Sequence, residues 1–187
     1  MKDDQQEAYE KLLSASLART VDWLKFAEAK NAALLTFCSA WVLGSIGVLA
    51  RFKDLPPQLA AALKLDAILF GIAAIIAVLA ILPKLKLSDF VGTTAPSGKN
   101  LLYFGDVASL DSEVFKERVR KAYMPAADTS TTDAYLDDMA AQVAINSQIA
   151  TRKFKLFERG AKLTLVGMLV MLWPLSAMVC EWIRSLF

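Results

Sequence analysis

The 187-residue sequence contains no histidine and only two cysteines. The missing histidine excludes the commonest general base, Ser–His and Cys–His dyads and the usual zinc sites. The patterns GxxxxGK[ST], HExxH, CxxC and GxSxG are missing too, which removes the familiar nucleotide, metalloprotease, redox and hydrolase motifs. These absences indicate a protein that is not an enzyme and that has neither a catalytic residue nor a metal site.

Glycine and proline are also scarce, at 8 and 6 residues, which excludes collagen-like or disordered chains. Both cysteines, Cys38 and Cys180, lie in apolar runs, so we interpret them as buried small hydrophobes rather than as a disulfide or redox pair. The net charge of +2 gives no reason to expect a nucleic acid polymer as a partner.

What the chain has in excess is apolar sequence, 56% of its residues, and a mean hydropathy of +0.41. The excess lies in three runs, Ala32–Ala50, Leu65–Leu82 and Leu163–Cys180, in which Asp66 is the one charge. A helix of about 20 apolar residues spans the hydrocarbon core of a bilayer. We therefore predict three transmembrane helices; a cleaved signal peptide or buried core helices fit the pattern less well.

Positive charge indicates the orientation, because Lys and Arg are enriched in cytoplasmic segments. Four lie on one side of the predicted spans: Arg51, Lys53, Lys64 and Arg184. Ten lie on the other side: Arg19, Lys25, Lys30, Lys84, Lys86, Arg152, Lys153, Lys155, Arg159 and Lys162. The bias predicts a bacterial inner-membrane protein with its N terminus in the cytoplasm and its C terminus outside.

Two apolar stripes at helical spacing precede the first and third spans. One consists of Tyr9, Leu13, Leu17, Val21 and Leu24; the other consists of Tyr135, Met139, Val143, Ile145, Ile149, Phe154 and Phe157. Each predicts a helix that runs unbroken into its span, and the two stripes can pack together. A helix lying on the membrane surface is the competing interpretation of the first stripe. The predicted fold class is an all-α membrane protein with three transmembrane helices, two of them extended into a cytoplasmic helical bundle.

This organisation divides the chain into four parts. Residues 1–31 form a cytoplasmic amphipathic helix, and residues 32–83 form the first two spans with a short outer loop. Residues 84–160 form a cytoplasmic helical region, and residues 161–187 form the third span. The cytoplasmic region contains a polar linker at 88–99, the apolar segment NLLYFGDVA at 100–108, and a helix capped by Asp111 that ends before Pro125.

Several features of the spans and their borders are open to two interpretations. Small residues four apart, Ala40 and Gly44, Ala67 and Gly71, Ala73 and Ala77, suit either packing within one chain or oligomerisation. Asp66 is either functional or, as its position near a span end favours, at headgroup level. Pro174 lies within the third span and predicts a kink.

The polar residues just before the third span are open to two interpretations as well. The basic cluster Arg152, Lys153, Lys155 and Arg159 either binds an anion or only follows the positive-inside rule. Asn146, Ser147 and Gln148, just before that cluster, either line a ligand pocket or face water.

The chain resembles the transmembrane Pycsar effector proteins of bacterial anti-phage defence over roughly residues 18–180. The resemblance depends on Trp23, on EAKNA at 28–32 before the first span, and on Pro83 after the second. It also depends on NLLYFGD at 100–106, on DAYL at 133–136 and on SQIATRK at 147–153. Glu28 departs from the pattern, in which an aspartate is expected.

The resemblance implies a function. A companion cyclase makes a cyclic pyrimidine mononucleotide, cUMP or cCMP, on infection. The effector binds it in the cytoplasm and compromises the inner membrane, so that growth arrests or the cell dies. The alternatives are an effector that answers a cyclic di- or trinucleotide, or a non-enzymatic membrane scaffold for a cytoplasmic partner. We expect a homo-oligomer in contact with the lipid bilayer and no cofactor besides the activating ligand.

The family resemblance does not identify the ligand-binding residues, so the candidates come from chemistry. A cyclic nucleotide needs a cation or amides for its phosphate and an apolar or aromatic wall for its base. Tyr103, Phe104, Gly105 and Asp106 suit the wall and its turn, unless they form a buried turn that braces the helices. Arg152 and Lys153 suit the phosphate. Asn100, from NLLYFGD, and Ser147, from SQIATRK, are the remaining candidate ligand-binding residues.

Overall fold

A computed structural model describes residues 2–82, 100–127 and 129–185. The elements are α1 (Lys2–Arg51), α2 (Pro57–Ile81), α3 (Phe104–Val107), α4 (Ser112–Tyr123) and α5 (Asp133–Ser185). Within those residues there is no strand. The predicted linker at 88–99 and the basic residues Lys84 and Lys86 lie outside them.

Three of the helices are long and apolar enough to cross a membrane. The most apolar windows of α1, α2 and α5 have mean hydropathies of 1.9, 2.3 and 2.1. Both stripes belong to the same continuous helices as the spans that follow them. The predicted all-α class, with three membrane-length helices, is thus confirmed. The membrane boundaries at 31, 83 and 160 and the orientation stay predictions.

The helices pack into two compact units. The first combines Met1–Phe26 with Pro83–Thr151, and the second combines Ala27–Leu82 with Arg152–Phe187. Each of the long helices α1 and α5 contributes its N-terminal part to the first unit and its C-terminal part to the second. We describe the units in turn.

In the first unit the two predicted stripes pack against each other. Leu13 of α1 is buried with Leu136 and Met139 of α5, and Leu17 and Tyr135 pack against them. The Ser14 hydroxyl lies 3.7 Å from the Met139 sulfur. Closer to the helix starts, Gln6 Nε2 donates to Asp133 Oδ1 at 3.4 Å. Because the contacts advance from Gln6 and Asp133 to Ser14 and Met139, α1 and α5 run parallel here, as the sequence predicts. Tyr9, also assigned to the stripe, is an exception and is 46% exposed.

The shorter helices of the first unit follow their sequence signals. The Asp111 carboxylate accepts a hydrogen bond from the Glu113 backbone N–H at 3.0 Å, which caps α4. The helix ends at Tyr123, two residues before Pro125, because the residue before a proline disfavours helical backbone angles. Both predictions are confirmed.

In the second unit α1, α2 and α5 surround a small apolar core. Leu34, Cys38, Phe70, Ala73 and Ala77 are its buried members. Ala73 and Ala77 thus support packing within one chain, whereas a Cβ added at Gly44 or Gly71 would meet nothing within 4 Å. Small residues on α2 let its backbone approach its neighbours closely.

One sequence prediction for this unit is corrected by the structure, and one stays open. The Asp66 side chain is fully buried between the helices, as the tenth residue of α2, and its depth relative to the headgroups stays a prediction. Cys38 is buried as predicted, but Cys180 is exposed, and both thiols are free. Cys180 lies near the end of α5, in a stretch where the residues with described side chains are exposed.

Candidate functional site

The segment NLLYFGDVA is folded by its own polar groups and by α5. The Asn100 backbone N–H donates to Asp106 Oδ2 at 3.0 Å, and Asn100 Oδ1 accepts from the Leu102 N–H at 2.8 Å. Asn100 Nδ2 donates to the Asp138 carbonyl oxygen at 3.0 Å. These bonds occupy polar groups of both Asn100 and Asp106, so the two residues act first as braces of the turn.

Asp138 of α5 connects this turn to the neighbouring helix. Its Oδ2 accepts hydrogen bonds from the Leu101 N–H at 3.3 Å and from the Tyr123 hydroxyl of α4. Burial, and next the hydrogen bond and negative charge of Asp138, raise the pKa of Tyr123 far above its usual value. Tyr123 is therefore a neutral donor at physiological pH. The sequence shows Asp138 only as one of two adjacent acids, and it does not reveal this role.

Gly105 has no room for a side chain, because the Tyr103 ring lies directly beside it. A Cβ added there would lie 2.6 Å from Cε1 of the Tyr103 ring. Tyr103 is buried, with 5% of its surface exposed, and burial, followed by the charge of Asp106, raises the pKa of its hydroxyl. A ring held in this way has little room to move aside.

Gly105→Ala is therefore expected to destabilise the first unit by about 1–3 kcal/mol, the usual cost of overpacking. Chemical unfolding of the detergent-solubilised protein would measure the change. Gly71→Ala is the matched control, since a Cβ there meets nothing within 4 Å. Equal stability of the two variants would contradict the bracing role of this turn.

The candidates predicted from the sequence thus have separate roles. Asn100, Tyr103, Gly105 and Asp106 come together in one turn, while the Phe104 ring is 64% exposed beside Tyr103. Ser147 is half-buried, and its hydroxyl donates to the Val143 carbonyl oxygen at 2.7 Å. The hydrogen bonds of Asn100 and Asp106 therefore fit the interpretation of the NLLYFGDVA segment as a turn that braces the helices.

The two predicted phosphate ligands belong to the second unit and have partners there. The Lys153 ammonium lies 2.8 Å from Glu28 Oε1 and is buried. The Arg152 guanidinium donates to the Leu79 carbonyl oxygen at 3.4 Å. Lys153 is therefore a buried ion-pair member rather than an accessible anion ligand.

The first unit contains an open cavity of about 660 Å³, which we call the α1–α5 groove. Ligand sites in proteins commonly have volumes of about 300–1,000 Å³. Residues of α1, α5 and the NLLYFGDVA segment line it: Ser14, Leu17, Ala18, Val21, Asp22, Lys25, Leu102, Tyr135, Met139, Gln142 and Asn146. The groove is large enough for a nucleotide, and its lining is apolar with a few polar groups.

Gln142 is the most unusual residue of the groove. Its side chain is 7% exposed, and Nε2 is buried with no hydrogen-bond partner. A buried amide donor without a partner costs about 1–3 kcal/mol, so this donor is available to a water molecule or a ligand. Asn146 lies one turn further along α5 and also lines the groove.

Sequence spacing carried a signal for this site. Tyr135, Met139, Gln142 and Asn146 are spaced 4, 3 and 4 residues apart, so they share one helical face. On this face the apolar residues Tyr135 and Met139 are followed by the amides Gln142 and Asn146, so the apolar packing surface ends there. The sequence predicts Asn146 as a possible pocket residue; Gln142 is identified only by the structure.

The charged groups at the groove belong to α1. Lys25 Nζ lies 3.8 Å from Asp22 Oδ1, with both side chains more than 70% exposed. Such a pair is weak and open to exchange with a bound anion. Among the described residues, no group of three or more His, Cys, Asp and Glu is placed to hold a metal.

The membrane-length helices agree with what comparisons with known proteins find. The family described as Pycsar effector protein domain matches residues 12–180. The Pycsar effector protein RsPycTM of a Rhizobium species is 38% identical over 170 residues, which cover 91% of this chain and 96% of that protein. The Pycsar effector protein PtPycTM of Propioniciclava tarda is 30% identical over 168 residues, 87% of this chain and 76% of the relative.

No solved structure matches the chain significantly. The family assignment therefore depends on sequence similarity, together with three helices of membrane-spanning length. That similarity extends across nearly the whole chain, and it includes both the groove-forming and the membrane-length parts of α1 and α5. On these grounds the chain belongs to the Pycsar effector proteins of the transmembrane type.

Proposed function

We propose that this protein is a membrane effector of anti-phage defence that binds cUMP or cCMP in its cytoplasmic part. Binding leads to disruption of the inner membrane, and growth arrest or cell death follows. Pycsar effectors respond to cyclic nucleotides from a companion cyclase. The finer assignments, which are the pyrimidine nucleotide, the membrane lesion and the cytoplasmic N terminus, are our proposals.

One observation carries this proposal. The two helices that form the walls of the α1–α5 groove are the same helices that continue into membrane-length apolar segments. A ligand that changes the spacing of α1 and α5 in the groove therefore acts on elements that extend to the membrane. The ligand must bind the active arrangement more tightly than the resting one for any shift to occur.

The groove suits the chemistry of a cyclic pyrimidine nucleotide. Uracil and cytosine both carry a ring carbonyl oxygen that can accept a hydrogen bond from Gln142 Nε2. Tyr135, Met139 and Leu102 offer aromatic and apolar surface for the face of the base. Lys25 can exchange Asp22 for the cyclic phosphate, because a charge-assisted bond to phosphate is stronger than an exposed ion pair.

The test of the function is a titration of the detergent-solubilised full-length protein with cUMP and with cCMP. Cyclic di- and trinucleotides serve as competitors, and the membrane potential of cells that also express a cyclase is recorded. We expect saturable binding of one pyrimidine nucleotide and collapse of the potential. Tighter binding of a di- or trinucleotide would favour that alternative, and no binding with an unchanged potential would favour a scaffold.

The role of Gln142 has its own prediction. Gln142→Met keeps the length of the side chain but removes the amide donor, so nucleotide affinity should fall tenfold or more, which corresponds to about 1.4 kcal/mol. Isothermal titration would measure the change. The same substitution at Gln148, an exposed residue of the same helix, is the control and should leave affinity unchanged. Undiminished affinity of the Gln142 variant would place the ligand elsewhere.

A further inference from the structure

The second unit contains a buried carboxyl group that forms neither an ion pair nor a hydrogen bond with any described residue. Asp66 is the tenth residue of the 25-residue helix α2, about 13 Å along its axis. Its side chain is fully buried, and neither carboxylate oxygen has a hydrogen-bond partner. The mean hydropathy of the most apolar window of α2 is 2.3, so this acid lies within a helix suited to the membrane interior.

The surroundings of Asp66 are aromatic and uncharged. On its own helix, Phe70 follows one turn later and is fully buried. From α1, Trp41 stacks on Phe70 with ring centroids 5.2 Å apart, and its buried indole N–H lies near the Asp66 carboxyl without reaching hydrogen-bond geometry. From α5, Gly167 packs so closely that an added Cβ would lie 3.3 Å from Asp66 Oδ1. None of these neighbours can neutralise an anion.

An ionised carboxylate in such a place is far too costly without a counter-charge. The group must therefore hold a proton or a metal cation. Calcium and related hard cations require six or more oxygen ligands, and the three neighbours named above supply an indole, a phenyl ring and a glycine. A metal cation is therefore excluded for lack of oxygen ligands, and the Asp66 carboxyl holds a proton.

Further buried polar groups lie at other levels of the same unit. On α1, Asn31, Cys38 and Ser45 are all buried and are spaced seven residues apart, about 10 Å per step on one helical face. Cys38 Sγ lies 3.4 Å from the Thr164 hydroxyl of α5. Asn31 donates to the Lys153 carbonyl oxygen at 3.2 Å, while its own Oδ1 is unpartnered.

Apolar side chains interrupt this line. Leu34 lies between Asn31 and Cys38 in sequence and fills the space beside Gly160, where an added Cβ would meet it at 2.7 Å. Phe70 occupies the core next to Cys38. The polar groups are therefore separated in this arrangement, as an effector that is silent before infection requires. A shift of α5 away from Leu34 and Phe70 would let water join them.

We propose that the second unit of a single protomer contains a proton pathway, with Asp66 as its membrane-embedded proton-binding group. This inference rests on the proposed function, because it states what the membrane lesion is. In each cycle the protonated Asp66 carboxyl releases its proton to water on one side, and the resulting carboxylate takes up another proton from water on the other side. The protonated carboxyl is regenerated, and the only net event is the movement of H⁺ across the membrane.

The experiment uses the full-length protein in liposomes that contain a pH-sensitive dye, with valinomycin and potassium to balance charge. On addition of cUMP or cCMP, wild type should acidify the lumen along an imposed proton gradient. Asp66→Asn, a neutral variant of nearly the same shape, should lower the flux at least tenfold while nucleotide binding is unchanged. Asp54→Asn, in the exposed segment between α1 and α2, is the matched control and should conduct like wild type.

Two results would overturn the pathway. One is an Asp66→Asn variant that conducts as well as wild type, and the other is release of entrapped carboxyfluorescein together with the protons, which would mean a wide lesion in the lipid. Both leave nucleotide-triggered membrane damage, and so the proposed function, intact. Wild type that binds neither nucleotide would count against the proposed function alone.

Infrared spectroscopy of the unliganded protein in bilayers tests the proton-binding group without any nucleotide. The wild-type minus Asp66→Asn difference spectrum at neutral pH should contain the carbonyl stretching band of a protonated carboxylic acid. The corresponding Asp54→Asn difference should contain carboxylate bands instead. A difference spectrum of Asp66 with carboxylate bands only would refute the inference.

Discussion

Glu28→Gln is expected to destabilise the second unit much more than Lys153→Met, although the two residues form one ion pair. The Lys153 side chain is 6% exposed, whereas that of Glu28 is 51% exposed. Removing the glutamate charge leaves an ammonium buried without compensation. Removal of one partner of a buried pair costs about 3–5 kcal/mol, and because half of Glu28 faces solvent we expect the lower end of that range.

Lys153→Met removes the buried charge itself and leaves Glu28 free to interact with water. Methionine has similar length and is apolar, and the charge that remains, Glu28, is half exposed to water, so no buried charge is left without compensation. We therefore expect a change within about 1 kcal/mol of wild type, consistent with the modest cost of a volume-conserving substitution. The Asn31 hydrogen bond to the Lys153 carbonyl oxygen uses the backbone, so we expect it to persist in both variants.

Unfolding of the detergent-solubilised protein, followed by circular dichroism, measures both changes. Glu158→Gln is the control, because Glu158 pairs with Lys162 on the exposed side of α5 and exposed pairs contribute about 0–1 kcal/mol. The double variant Glu28→Gln with Lys153→Met should recover most of the stability. If Lys153→Met costs more than Glu28→Gln, the buried-charge explanation is wrong.

Asp138→Asn should loosen the NLLYFGDVA segment and weaken nucleotide binding. The substitution removes the charge that accepts hydrogen bonds from Tyr123 and the Leu101 N–H. Hydrogen bonds to a charged group contribute about 1.5–3 kcal/mol each, so a loss of about 2–4 kcal/mol is expected after partial replacement by the amide oxygen. Leu102, which lines the α1–α5 groove, is part of the released segment.

The expected signature is faster hydrogen exchange of the backbone amides at 100–108, accompanied by at least tenfold weaker binding of cUMP or cCMP. Asp137→Asn is the matched control, since Asp137 is the preceding residue and is exposed. Hydrogen–deuterium exchange with mass spectrometry resolves the two variants. Identical exchange in both would show that Asp138 does not brace the segment.

Much of the fold was readable from periodicity and length. Three apolar runs predicted the three membrane-length helices, and Asp111 and Pro125 predicted the ends of α4. The stripe centred on Leu13 predicted its own partner around Met139. These signals are local or repeat along one helix, so they can be recognised without knowing which residues pack against them.

The candidate site was less readable, because its residues differ from their neighbours only in what they contact. Asp138 and Asp137 are the same residue type in adjacent positions, and one is a brace while the other faces solvent. Lys153 belongs to a basic cluster that topology alone explains, and its burial against Glu28 could not be inferred from the cluster. In the sequence Gln142 is an ordinary polar residue, and only the structure shows that its amide is buried without a described hydrogen-bond partner.

The sequence by itself determined that this chain is helical, membrane-spanning and a member of its family, because hydropathy and helical period act along the chain. Only the tertiary structure decided which polar groups are satisfied and which are not. The Asp66 carboxyl and the Gln142 amide remain unpartnered after folding. That outcome depends on side chains far away in sequence, and the cost of a buried polar group is set by its neighbours in space rather than by its place in the chain.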